Sequence, residues 1–72
     1  MQIVFLHEDL ERWIASLEKS TIAKVLRTID LLENFGNRLG MPHSKKIDQR
    51  LFELRVRGDQ EVRLLYTFYK NQ

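Results

Sequence analysis

The sequence predicts an α+β fold in which two N-terminal helices pack on one face of a small antiparallel β-sheet, in the order β-α-α-β-β. Three observations carry this. Residues 51–57 and 61–69 alternate apolar and polar side chains with the period of a strand. Residues 10–17 and 22–35 repeat apolar residues with helical spacing. Nothing between these segments reads as a linker, so all 72 residues belong to one domain.

The first element is the β-branched and aromatic run Gln2 to Leu6, a strand. His7, Glu8 and Asp9 follow, and acidic residues favour the positive end of a helix. Leu10, Trp13, Ile14 and Leu17 then recur at i, i+3, i+4 and i+7 as the stripe of a first helix, which makes Trp13 a core residue. After a short link at Glu18-Lys19-Ser20, Ser20 or Thr21 is placed to cap a second helix. Its stripe is Ile22, Val25, Leu26, Ile29, Leu32 and Phe35; Lys24, Arg27, Asp30 and Glu33 fall on a solvated side. Gly36 suits the left-handed residue that closes a helix. From Asn37 to Gln49 no period survives, and Gly40 and Pro42 mark irregular chain.

The last third is a hairpin, Leu51–Arg57 and Glu61–Tyr69, joined through Gly58-Asp59-Gln60. Pairing Val56 with Val62, Leu54 with Leu64 and Phe52 with Tyr66 gathers one apolar face. Arg55 then stands opposite Arg63 on the other face, with Glu53 diagonal to them. A slip of one residue would mix the two faces, so the pattern selects this register. Like charges set directly opposite one another repel. The arginine face therefore reads in two ways: it holds an anion, or each arginine pairs with Glu53 and Glu61 on a solvated surface.

Composition narrows the chemistry. The chain has no cysteine, which removes disulfides, thiolate metal sites and cysteine nucleophiles. No Gly-rich phosphate loop, paired helical histidines or nucleophile elbow is present, so neither a metal nor a cofactor is expected. No apolar run is long enough to span a bilayer and the N-terminal run lacks a basic leader, so a cytoplasmic protein with no membrane partner is expected. The net charge of +2 is unevenly spread: residues 1–40 hold five basic against six acidic side chains, residues 41–72 seven against four. The basic half contains His43, Lys45, Lys46, Arg50 and Arg57 around the arginine pair, a pattern that suits phosphate contact. His43 is also the side chain best suited to proton transfer near neutrality.

Several of these stretches carry a family resemblance. They are Ile3-Val4-Phe5-Leu6-His7-Glu8-Asp9, Leu31-Leu32-Glu33-Asn34-Phe35-Gly36, Met41-Pro42-His43-Ser44-Lys45-Lys46-Ile47, Leu51-Phe52-Glu53-Leu54-Arg55 and Val62-Arg63-Leu64-Leu65-Tyr66. The chain resembles the RelE/ParE superfamily of toxins from type II toxin–antitoxin systems, and within it the HigB-like, phage-derived Gp49-like branch. The resemblance implies the RelE-like fold and a toxin that cleaves ribosome-bound mRNA, attacking a phosphate with the neighbouring 2′-hydroxyl without a metal. It implies an antitoxin protein as partner.

By that resemblance Arg63 and Arg55 are the catalytic pair, and Lys45 and Lys46 belong to the RNA-contacting loop. Arg50, Arg57 and His43 complete the basic set read from the pattern above. Two alternatives stand beside this reading: a non-catalytic module of the same fold, and a ParE-like inhibitor of gyrase. The branch usually continues into a further strand and a C-terminal helix, whereas this chain stops at Asn71-Gln72. The expected domain, residues 1–72, therefore lacks that strand and helix. It leaves the Glu61–Tyr69 edge open for an antitoxin segment or for self-association.

Overall fold

A computed structural model describes residues 2–69; Asn71 and Gln72, where the sequence stops, lie outside the described residues. The element order is β1 (Gln2–Phe5), α1 (Leu10–Ala15), α2 (Lys19–Phe35), a single 3-10 turn (Gly36–Arg38), β2 (Ser44–Asp48), β3 (Leu51–Val56) and β4 (Val62–Tyr69). The strands form one antiparallel sheet in the order β1-β4-β3-β2, so the α+β expectation holds.

The hairpin takes the register that its alternation selects: Phe52 opposite Tyr66, Leu54 opposite Leu64, Arg55 opposite Arg63 and Val56 opposite Val62. Val56 closes β3, and Arg57 and Glu61 lie beyond the ladder. The inward positions are sealed by α2. Leu32, Leu54, Leu64 and Tyr66 form one buried cluster, and Val25, Val56 and Val62 a second. Trp13 packs against both clusters from α1, as its stripe position predicts.

Three features differ from the sequence reading. The irregular segment contains a strand, β2, which pairs Ser44 with Leu54, Lys45 with Glu53 and Lys46 with Phe52 before a bulge at Ile47. Lysines, serine and aspartate are poor strand formers, and β2 exists because β3 offers it a ladder. Its one buried residue, Ser44, shares a hydrogen bond with the Tyr66 hydroxyl beneath the sheet.

The second difference concerns the edge expected to be open. Strand β4 is central: β1 covers it, with Gln2 opposite Tyr69 and Phe5 opposite Tyr66. Ile3 and Phe5 then reach the core beside Tyr66 and Phe68, and that burial recruits β1 to this edge. Among the described residues the sheet's edges are β1 and β2, so Glu61–Tyr69 is not the open edge expected for self-association.

The third difference is in α2. Glu18, not Ser20 or Thr21, is its N-cap residue, and the Glu18 N–H is held by the Gln60 side-chain oxygen at 3.3 Å. Its buried side is Thr21, Val25, Thr28 and Leu32, while Leu26 and Phe35 are exposed. Small threonines let the helix lie close to the sheet, which turns Leu26 outward. Gly36 ends the helix with φ +57°, a region that L side chains rarely adopt, as expected of the closing glycine.

Candidate nucleic-acid interface on the free face of the sheet

The helices occupy one face of the sheet, and pleating sends alternate residues to the other. On β3 and β4 these are Glu53, Arg55, Arg63, Leu65, Thr67 and Tyr69, flanked by Lys45 from β2 and Val4 from β1. One half of this face is charged and the other is apolar, with Val4, Leu6, Leu65 and Tyr69 exposed.

Arg55 and Arg63 are direct cross-strand partners. Each takes a carboxylate from two residues along its own strand. Arg55 Nε lies 3.5 Å from Glu53 Oε1, and Arg63 Nη2 donates to Glu61 Oε1 at 3.1 Å. Of the two sequence readings, carboxylate pairing is therefore present, and the anion reading is left with what the pairs do not satisfy.

The two arginines differ in environment. The Arg63 side chain is 55% exposed, and an ion pair so open is screened and worth about 0.2–1 kcal/mol. The Arg55 side chain is 17% exposed, and its Nε is buried without a hydrogen-bond acceptor. That nitrogen is closed to solvent, with the Glu53 carboxylate as its neighbour, so an incoming oxygen does not reach it. Lys45 adds a third cation opposite Glu53. The carboxylates of Glu53 and Glu61 do not neutralise three cations, so the patch favours an anion.

The remaining basic residues divide. His43 stays beside the pair, because Arg55 donates its backbone N–H to the His43 carbonyl at 2.8 Å. Arg57, past the end of β3, joins His43 in lining a groove against α2. Lys46 lies opposite Phe52, one residue out of phase with Lys45. Arg50 is in the turn between β2 and β3, roughly 15 Å along the strand from Arg55. Among the described residues, no three His, Cys, Asp or Glu side chains come together as a potential metal site. No helix among them is long and apolar enough to cross a membrane.

Beneath the face, burial raises the Tyr66 hydroxyl above its ordinary pKa, and the hydrogen bond with Ser44 offsets part of that rise. Tyr66 thus supports the sheet from the helix side and does not reach the cationic face. The sequence reading missed the groove residues Lys24, Arg27, Thr28 and Leu31, having given the first two to solvent. Their spacing of i, i+3, i+4 and i+7 is itself a helical row, legible beside the main stripe of α2.

This architecture, with helices on one side and cations on the other, agrees with the family to which the motifs pointed. The chain belongs to the phage-derived Gp49-like family (DUF891), whose family model matches residues 12–72. It is similar to a Mycobacterium tuberculosis (strain ATCC 25618 / H37Rv) protein described as "Putative toxin HigB3", with 38% identity over 69 residues. That match takes in 90% of this chain and 60% of the relative, so the chain spans well under two-thirds of that protein's length. No solved structure matches at a comparable level.

Proposed function

We propose that this chain is the toxin component of a type II toxin–antitoxin system, acting on ribosome-bound mRNA as an endoribonuclease. Membership of the Gp49-like family and similarity to a protein described as a toxin support the toxin reading. One observation carries the choice of RNA as target: Arg55 and Arg63 face each other on the helix-free side of the sheet, with Lys45 beside them.

In this mechanism Arg55 orients the scissile phosphate, and Arg63 stabilises the negative charge that gathers on its oxygens. Lys45 holds the backbone beside the pair, with Arg50 in the β2–β3 turn and His43 and Arg57 at the far end of β3; Lys46, in phase with Phe52, lies off this face. The 2′-hydroxyl loses its proton to solvent base and forms a bond to the adjacent phosphorus. The bond to the 5′-oxygen breaks, and that oxygen leaves with a proton. The products are a 2′,3′-cyclic phosphate and a 5′-hydroxyl, and no step calls on a metal or cofactor.

Primer extension on mRNA from expressing cells tests the reading. Codon-phased cuts that disappear in Arg63→Ala are expected, whereas intact mRNA with normal growth would overturn it. A supercoiling assay on the same cells separates a gyrase target. A second reading, a non-catalytic module that holds an antitoxin, is favoured by the fact that both arginines already carry a carboxylate. It predicts antitoxin capture by the Arg63→Ala protein with no cleavage in the parent.

A further inference from the structure

At the end of β3, α2 and the sheet enclose an open groove of ≈ 310 Å³, which Arg55 of the arginine pair also lines. Leu31 and Thr28 from α2, Val56 from β3 and Pro42 line it. The Thr28 hydroxyl is spent on the Lys24 carbonyl at 2.8 Å, which leaves that wall apolar. Lys24, Arg27 and Arg57 stand exposed around it, with His43 half-buried among them. No acidic side chain lines the groove, and none of these cations takes part in an ion pair among the described residues. Lys24 extends over the β3–β4 turn, where a Cβ on Gly58 would meet its Nζ at 2.8 Å.

The edge of β3 is unfinished at the same point. Arg55 donates its N–H to the His43 carbonyl, but the His43 N–H turns back to Gly40 at 3.1 Å instead of returning the bond. The ladder to β2 therefore stops there. Strand alternation directs the next edge groups, the Arg55 carbonyl and the Arg57 N–H, outward beside the groove.

We propose that this groove receives an extended segment of a partner protein whose residues alternate acidic and apolar side chains. The segment would pair with the free end of β3, set its apolar side chains against Val56, Leu31 and Thr28, and place carboxylates on Lys24, Arg27 and Arg57. A single-stranded RNA is the poorer fit. Apart from the half-buried His43 imidazole, no aromatic side chain lines the groove for a base to stack on, whereas an unreciprocated carbonyl suits a peptide N–H. The inference does not depend on the arginine face cleaving RNA.

The test uses the full chain and a short fluorescent peptide alternating glutamate and valine. Saturable binding is expected, weakening with salt, with amide shifts confined to Thr28, Leu31, Val56 and Arg57 in NMR spectra. The double variant Arg27→Glu/Arg57→Glu, both sites being exposed, should weaken binding at least about tenfold with an unchanged melting temperature. A lysine–valine peptide should not bind. Absence of saturable binding would overturn the proposal. So would shifts centred on Arg63, or displacement of the peptide from the groove by an RNA oligonucleotide at lower concentration. Because mRNA cleavage is not the readout, a failure here is separate from a failure of the nuclease reading.

Discussion

The two faces of the β3–β4 hairpin present alternate residues of the same strands in one register, yet they are built under different constraints. On the helix side Leu54, Val56, Val62, Leu64 and Tyr66 are all buried, packed against Val25 and Leu32 of α2. On the other side Arg63, Leu65 and Tyr69 are exposed, and only Arg55 and Glu53 are largely covered. Removing atoms from the first face leaves a hole that neighbours cannot close. Removing them from the second leaves water. Stability therefore resides on one face, and the other is free to be shaped by whatever it binds.

That division can be broken most directly at Leu54, which is fully buried between the sheet and α2. Leu54→Ala should cost about 2–5 kcal/mol in urea unfolding, because the cavity adds to the lost burial. In a chain of this size that loss approaches the whole stability.

Tyr66→Phe is a smaller cut on the same face, expected to cost about 1–2 kcal/mol because the buried Ser44 hydroxyl loses its partner. It also has a pH signature. Burial raises the Tyr66 hydroxyl in the folded state, so the unfolded chain ionises first. Stability should hold below the ordinary tyrosine range near 10 and decline as pH rises through and beyond it. Melting curves of Tyr66→Phe should show a shallower alkaline decline than the parent; an identical decline would place the titrating group elsewhere.

The free face should respond more weakly in stability. Arg55→Ala, which uncovers Glu53 and strips a packed side-chain stem, should cost about 1 kcal/mol by chemical denaturation. Arg63→Ala, one residue from buried Leu64, should shift stability by no more than about 0.5 kcal/mol and, on the proposed nuclease reading, abolish mRNA cleavage. Large destabilisation by Arg63→Ala would show that the outer face is structural too, and the comparison would collapse.

The hairpin was legible because a period-two pattern with one wholly apolar face tolerates a single register. The helices were legible for the same reason at a different period. Strand β2 was not, since Ser44-Lys45-Lys46-Ile47-Asp48 has no alternation and, apart from Ile47, no β-former, and its pairing is a property of β3. The position of β1 depended on where Ile3 and Phe5 find burial, a long-range fact that a short apolar run does not encode. For the site, facing arginines were readable from spacing. The near burial of Arg55 and its unpaired Nε depend on how Glu53 and the neighbouring strand fold around it. The groove escaped notice because its cations come from α2 and from beyond β3, segments whose adjacency is purely tertiary.

The sheet order carries a consequence in time. Strand β4 lies in the middle, yet it comes last in the chain among the described strands, and β1, its outer neighbour, comes first. Pairing Gln2 with Tyr69 spans nearly the whole sequence, and such distant contacts are slow to form. Arg63 has no strand to sit on until residues 62–69 have emerged. The arginine pair therefore forms only once β4 has docked between β3 and β1.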